Sequence, residues 1–210
     1  MSALETQRDF YAQRVPDQFN RVLADERVAA RSDAEAARRV EEMEAVRSSI
    51  VVQVDCGTAL ERHAYDVERG EMRYVARPAY APFLILGHSL DDFANLRREC
   101  GDSLLGFLGG LAGLGDDMRL TSARVRGLRE LQGSLAFERT GDGGFALFAA
   151  FGVRAPAPEP EATIRISEDV YAGLRRGAVD PQDAFLDGRI EVEGDLELAV
   201  GMALVASAPD

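Results

Sequence analysis

The stretch that most constrains the fold is AVDPQDAFLDGRIEVEGDLELA, residues 178–199, because each change of structure within it carries its own signal. Asp180 is a favoured helix N-cap, and Pro181 suits the first helical position, where its missing N–H costs no hydrogen bond. Gly188 favours the left-handed conformation that ends a helix, and residues 190–193 alternate apolar and charged side chains as a half-buried strand does. The stretch therefore predicts a short helix, a strand and a final apolar helix.

Hydrophobic periodicity predicts a helical segment at the start of the chain. Apolar residues within 1–47 recur at spacings of three and four, and Pro16 can occupy the first turn of a helix. Ser32 and Glu35 have the spacing of a capping box, which predicts that a further helix begins there. Residues 1–47 are therefore expected to form N-terminal helices.

From residue 48 onwards the apolar period becomes two, which indicates strands. They are predicted at 50–55, 62–68, 71–76, 83–86, 134–139, 145–151 and 162–166. Short connections among the first four predict an antiparallel meander covered on one face. Helices are expected at 89–96 and from Ser103, so the fold class is α+β.

Two segments align without a gap, DDFANLRRECGDSLLGFLGG (91–110) and DVYAGLRRGAVDPQDAFLDG (169–188), and nine of their twenty positions are identical. The alignment also predicts equivalent helix caps, pairing Ser89 with Ser167, Asp102 with Asp180 and Gly110 with Gly188. ARVRG (123–127) then takes the place of the strand IEVEG (190–194). The fold is therefore predicted to be internally duplicated, with one unit over 48–132 and another over 133–210.

The order of these residues resembles the sterol carrier protein type 2 family. The matching residues are Gly177, Pro181, Ala184, Phe185, Gly188, Val192, Gly194, Asp195, Leu196 and Ala199. The resemblance is good over 161–206 and weak over 48–127, where it would be a degenerate second copy. It implies a five-stranded, largely antiparallel sheet with helices on one face. It also implies an apolar tunnel between them for lipids, fatty acids, acyl-CoA or sterols.

Composition excludes several classes of partner. A net charge of −12 repels nucleic acid and anionic membranes, and no apolar run is long enough to span a bilayer. No signal peptide is visible at the N-terminus. Cys56 and Cys100 are far apart and lie in no metal-binding motif, so we interpret them as reduced thiols of a cytoplasmic protein.

Catalytic patterns are missing from the sequence. It contains no nucleophile elbow, no zinc-binding helix motif and no dinucleotide-binding loop. Its two histidines, His63 and His88, are interpreted as structural residues. We therefore predict a protein that is not an enzyme, with no metal site and no cofactor.

The apolar positions carry the functional hypothesis. The residues predicted to bind lipid are Phe107, Leu108, Leu111, Leu114, Phe185, Leu186, Met202 and Val205. The glycine-rich run SLLGFLGGLAGLG (103–115) is expected to form a movable wall of the cavity. The alternatives are that these side chains simply fill a core, and that the fold is an interaction or scaffold module without a tunnel. Either a partner protein or a homodimer would fit that second hypothesis.

Overall fold

The computed structural model describes residues 2–103, 106, 119–153 and 159–208. The chain begins with α1 (Ala3–Asp9), a π-helical segment (Phe10–Arg14), α2 (Val15–Ala29) and α3 (Ala34–Glu44), which confirms the helical N-terminus. The predicted capping box is wrong. Asp33 caps α3, because its carboxylate accepts the N–H of Glu35 at 2.9 Å.

A single eight-stranded sheet runs through both halves of the chain, in the order β3-β2-β1-β4-β6-β5-β7-β8. The strands are β1 (Arg47–Asp55), β2 (Leu60–Glu68), β3 (Glu71–Val75), β4 (Pro82–Ser89), β5 (Gly133–Thr140), β6 (Phe145–Phe151), β7 (Ala162–Ser167) and β8 (Ile190–Gly194). Every predicted strand segment is therefore a strand, apart from 123–127. The expected five-stranded sheet is replaced by a larger one.

The predicted antiparallel meander is corrected at β4, which lies parallel to β1 instead of pairing with β3. The connection before β4 causes this, because it crosses the ends of β2 and β1. Its backbone is held there by Asp66, which accepts the N–H of Ala79 at 3.0 Å, and by Ser49, which accepts the N–H of Tyr80 at 3.2 Å. Strand β7 is likewise parallel to β5, so the sheet is mixed.

Five further helices are described: α4 (Phe93–Cys100), α5 (Ser122–Leu131), α6 (Glu168–Arg175), α7 (Pro181–Leu186) and α8 (Leu196–Ser207). Helix α5 corrects the strand expected at 123–127. Thr121 caps this helix by accepting the N–H of Arg124 at 3.3 Å, and Val125 and Leu128 are buried at helical spacing. The predicted caps at Asp180 and Ser167 are confirmed.

Most of the core lies on the sheet face that the helices cover. Successive strand residues point to opposite faces, so Ile50 and Val52 join this main core while Val51 points to the other side. There Val51 forms a second buried cluster with Ala64, Ile85 and Ala150. The prediction that only one face is covered is therefore corrected at the centre of the sheet.

The two halves share an order of elements. Each opens with an antiparallel hairpin, and a later strand then pairs parallel with the first strand of that hairpin, β4 with β1 and β7 with β5. A helix follows each of these strands, and Ser89 and Ser167 both accept the N–H of the residue three positions ahead. Ser167 is the N-cap of α6, but α4 begins only at Phe93 after Asp92, so the cap predicted at Ser89 is wrong. The helix expected from Ser103 lies outside the described residues. The duplication and the domain boundaries at 47 and 132 remain predictions.

Candidate functional site

The π-helical segment positions two aromatic side chains over the sheet. Val15 donates its N–H to the carbonyl of Phe10, five residues back. The carbonyl of Tyr11 would need the N–H of residue 16, which is a proline and has none. The hydroxyl of Tyr65 donates to that carbonyl at 2.8 Å instead. The sheet thus completes the hydrogen bonding of the segment, and Phe10 and Tyr11 are buried against it.

A cavity of about 40 Å³ lies between this segment, α4 and the sheet. Val52, Leu86 and Leu147 line its floor from β1, β4 and β6, and Phe93 and Leu96 line it from α4. The remaining lining residues are Phe10, Tyr11, His88, Arg97, Cys100, Gly101 and Ser103. The wall is therefore mainly apolar, with a few polar atoms.

Two neutral histidines hold the N-terminal helices on the sheet. The ring nitrogen Nδ1 of His88 lies 2.7 Å from the carbonyl of Ser89 and must donate to it, so Nε2 accepts from the Tyr11 hydroxyl at 2.6 Å. His63 Nε2 lies 2.7 Å from the amide nitrogen of Gln7, and its Nδ1 lies 3.1 Å from the Tyr74 hydroxyl. All four ring nitrogens are thus engaged in hydrogen bonds, as the structural interpretation of these residues predicts.

Burial sets the protonation of this cluster. Loss of hydration lowers the pKa of His63 to about 4 and also lowers the pKa of His88, so both rings are neutral at pH 7. The same loss raises the pKa of Tyr11, which keeps its proton. The wall of the cavity therefore carries no charge at Tyr11 and His88.

Arg97 separates the cavity from an open groove on the surface. Its guanidinium carbon lies 5.7 Å from the centre of the Phe10 ring, within the range of a cation–π contact. The groove has a volume of about 470 Å³ and is lined by α1 and α4, with Arg97 and Phe93 common to both recesses. Arg98 also lines the groove, so the mouth of the cavity carries two guanidinium groups, with Asp102 3.9 Å from Arg97 and Glu99 3.6 Å from Arg98.

The structure describes four of the eight residues predicted to bind lipid. Phe107, Leu108, Leu111 and Leu114, together with the rest of the predicted movable wall, lie outside the described residues except for Ser103 and Gly106. Met202 is buried in the main core, and Val205 is partly buried against it. The cavity and the groove are lined by none of the four described residues, which are Phe185, Leu186, Met202 and Val205.

Helix α7 does not bury its two predicted lipid-binding residues equally. Ala184 is buried and Phe185 is half-buried, but Leu186 is 71% exposed. Helical residues are about 100° apart, so Leu186 points away from the side on which Ala184 is buried. A helix of six residues cannot bury three consecutive side chains on one face.

Sequence reasoning missed the residues of α1, the π-helical segment and α4 that form these recesses. One signal was present, since the adjacent aromatic pair Phe10 and Tyr11 lies one helical turn before Pro16 in an otherwise polar segment. Among the described residues, no three His, Cys, Asp or Glu side chains are grouped to hold a metal ion. No described helix is both long and apolar enough to cross a membrane.

Comparison with known proteins identifies a family that is similar to part of this chain. The model of the SCP-2 sterol transfer family matches residues 119–206. The match does not extend to residues 48–118, so the second copy expected there is not confirmed. A comparison with curated protein sequences finds no significant match.

Two solved structures show weak similarity. Sterol Carrier Protein 2 from Yarrowia lipolytica in its apo form has 15% identity and a TM-score of 0.31, covering 56% of this chain and 90% of that one. The sterol carrier protein domain 2 of Helicoverpa armigera has 23% identity and a TM-score of 0.29, covering 40% of this chain and 76% of that one. The family resemblance read from the C-terminal part of the sequence is confirmed by the family model: residues 119–206 match the SCP-2 sterol transfer family.

Proposed function

We propose that the protein binds and transfers a lipid, with an acyl chain or a sterol-like ligand held between the helices and the sheet. The observation that carries this proposal is the match of residues 119–206 to a sterol transfer family. The binding is not catalytic, and both buried histidines, of which His88 lines the cavity, are already committed to structural hydrogen bonds. A cytoplasmic location accompanies the proposal, supported by two cysteines that are not joined in a disulfide.

The ligand enters, in this proposal, through the groove between α1 and α4. The groove volume of about 470 Å³ falls in the range of roughly 300–1,000 Å³ that small-molecule sites occupy. The cavity beneath it, of about 40 Å³, has room for little more than one water molecule. An acyl chain therefore has to displace Arg97 from Phe10 and spread the apolar wall. Burial of each methylene group of the acyl chain contributes about 0.8 kcal/mol, which offsets the cost of opening the cavity.

The proposal assigns a role in ligand binding to the positive charge of Arg97. A guanidinium at the mouth can pair with the carboxylate of a fatty acid while the chain lies against Phe93, Leu96 and Leu147. Met202 belongs to the same continuous core as these residues and remains a proposed ligand contact, as does Val205 beside it. Phe185 and Leu186 remain proposed contacts only if a ligand extends beyond the recesses described.

The experiment begins with the protein as purified. Native mass spectrometry should detect a co-purifying lipid, or a one-to-one complex after palmitic acid is added. Fluorescence titration with a labelled fatty acid should then show saturable binding that unlabelled palmitic acid displaces. Absence of both complexes by mass spectrometry, together with no displaceable fluorescence, would overturn the proposal.

Variants test the location of the site. Leu147→Phe fills the cavity and should weaken fatty-acid binding by about tenfold or more, whereas Leu60→Phe, at an exposed position, should leave it unchanged. Arg97→Gln should weaken palmitic acid binding more than binding of the uncharged alcohol of the same length. Equal losses for acid and alcohol would remove the role of Arg97, and an unaffected Leu147→Phe would move the site away from this cavity.

A further inference from the structure

Two histidines of the sheet hold the part of the chain that closes one side of the cavity. This part consists of α1 and the π-helical segment, residues 3–14, and we call it the N-terminal arm. Four side chains of the sheet bond to the arm, those of Glu61, His63, Tyr65 and His88. Phe10 and Tyr11 of the arm line the cavity, so the position of the arm decides whether the floor of the cavity is covered.

The arm is joined to α2 at a point where the helix is weakened. Pro16 has no N–H, so the helical hydrogen bonding is interrupted there. Beyond this point Asn20 fixes α2 to the sheet, because its side-chain amide donates to the carbonyl of Met72 at 3.0 Å and accepts the N–H of Met72 at 2.8 Å. We therefore expect an arm that leaves the sheet to bend near Pro16 while α2 stays in place.

The bond between the arm and β4 depends on a neutral His88. Nδ1 of this ring donates to the carbonyl of Ser89, so Nε2 can accept the hydroxyl hydrogen of Tyr11. A proton on Nε2 reverses this bond, and the hydroxyl hydrogen must then find another acceptor in a mainly apolar wall. Protonation of His88 therefore weakens the attachment of the arm.

His63 on β2 lies against the same residue of the arm. Its ring is stacked on that of Tyr11 with the ring centres 4.8 Å apart, and the centre of the His88 ring is 5.9 Å from that of Tyr11. Protons on both histidines place two like charges beside one buried aromatic ring. Release of the arm returns both rings to water, so the protonated forms favour release.

The charged groups nearby do not offset the loss of hydration, which lowers the pKa of both histidines. Glu61 favours protonation of His63, whereas His88 and Arg8 oppose it. Asp92 favours protonation of His88, as does the hydrogen bond to the neighbouring carbonyl. Within the described residues, the other titratable groups that face the two rings are Tyr11, Tyr74, Arg97 and Cys100.

We propose that the N-terminal arm is an acid-sensitive cover of the cavity, which leaves the sheet when His63 and His88 become protonated. The floor formed by Val52, Leu86 and Leu147 then becomes accessible from the side that the arm had covered. The inference is independent of the proposed lipid ligand, because it concerns the free protein and involves no contact with a ligand.

The pKa of His63 determines the size of the effect. It is about 4 with the arm in place and about 6.5 for an exposed histidine. From this residue alone, the ratio of released to closed arms should be about 30-fold higher at pH 5.0 than at pH 7.5, and His88 should add to it. Arg8 holds the pKa of Glu61 below its usual range, so the ion pair between these two residues persists over this interval.

Hydrogen–deuterium exchange of the full chain measures the release, with rates corrected for the intrinsic effect of pH. Amide protection in the arm should fall by about 30-fold or more between pH 7.5 and pH 5.0. Strand β5 reports unfolding of the whole chain, so the arm should exchange faster than β5 at pH 5.0, and low urea should accelerate exchange in β5 alone. A common exchange rate for the arm and β5 would show that the arm opens only with global unfolding, and the proposal would be overturned.

Histidine variants identify the cause of the release. His63→Gln and His88→Gln should each reduce the pH effect on the arm, and the double variant should remove it. The matched control is Glu61→Gln, which breaks the ion pair with Arg8 and keeps both histidines. It should lower protection of the arm at both pH values and preserve the difference between them. An undiminished pH effect in both single variants, or its loss in Glu61→Gln, would contradict the proposal.

Discussion

At the scale of single residues, the hydroxyl of Tyr65 completes the backbone hydrogen bonding of the N-terminal helices. It donates to the carbonyl of Tyr11, which Pro16 leaves without a helical donor. Removing it leaves a buried acceptor unpaired, so Tyr65→Phe should lower the free energy of unfolding by about 1–3 kcal/mol. Urea denaturation measures this loss.

Tyr74→Phe is the matched control. It also removes a hydroxyl hydrogen bond, to His63, but Tyr74 is partly exposed and water can replace the lost partner. Its cost should stay below about 1 kcal/mol. Equal losses in the two variants would contradict the role assigned to Tyr65.

His63 should make stability depend on pH. Its pKa is about 4 in the folded protein and about 6.5 in an unfolded chain, so the fold favours the neutral ring. This contribution is complete above pH 6.5 and is lost as the pH falls toward 4, and it amounts to about 1–3 kcal/mol. Urea denaturation at pH 7.5 and 4.5 should therefore show a smaller loss for His63→Gln than for the original protein. The carboxylates and His88 titrate in both proteins, so an equal loss in the two would exclude His63 as the cause.

Sequence reasoning succeeded at residues whose role is decided locally. The caps at Ser167 and Asp180 and the helix end at Gly188 involve hydrogen bonds or dihedral angles within a few positions. The π-helical segment could not be predicted in this way. Its missing hydrogen bond is supplied by Tyr65, a residue more than fifty positions away that only the folded sheet brings close.

At the scale of elements, α5 and α8 pack through two glycines in a reciprocal arrangement. A Cβ atom at Gly127 of α5 would lie 2.9 Å from Val205 of α8, and one at Gly201 of α8 would lie 3.0 Å from Leu131 of α5. Gly127→Ala normally stabilises a helix by about 0.5–1 kcal/mol. Here the stiff Val205 side chain must move, so the variant should instead be destabilised by about 1 kcal/mol.

Val205→Ala tests the cause of that loss. With Val205 truncated, adding Gly127→Ala should be neutral or stabilising in thermal unfolding, because the clash is gone. If Gly127→Ala costs the same in both backgrounds, the two helices do not meet as described. Val205 thus contacts α5, and its predicted contact with a lipid stays a prediction, since an apolar pattern alone cannot distinguish a helix contact from a cavity wall.

The positions of the strands were predicted better than the way in which the strands pair. Alternation within each strand is a local pattern, and it located every strand of the sheet. The parallel pairing of β4 with β1 depends on a connection anchored by Asp66 and Ser49, which no periodicity records. The segment 123–127 was misassigned because the alignment with 190–194 was preferred to the helical spacing of Val125, Leu128 and Leu131.

At the scale of the whole molecule, a strand pair and an ionic cluster are among the contacts that join the two halves. Strand β4 pairs with β6, with Leu84 opposite Phe151. Beside them the fully buried guanidinium of Arg139 lies 3.5 Å from Glu99 of α4 and 3.5 Å from Glu168 of α6. A buried charge is stable only with its partners in place, and one of the two carboxylates near Arg139, that of Glu99, comes from the first half of the chain.

The pairing of β4 with β6 determines how a fragment limited to the residues of the family match should behave. A fragment containing only residues 119–206 would lack β4, and the backbone N–H and C=O groups of β6 that face it would become an open edge. Such edges pair with other chains. We expect this fragment to be recovered as aggregates, whereas the full chain elutes as a defined species in size-exclusion chromatography. A monomeric, folded fragment would show that the family segment is autonomous and that its neighbour was acquired as an addition.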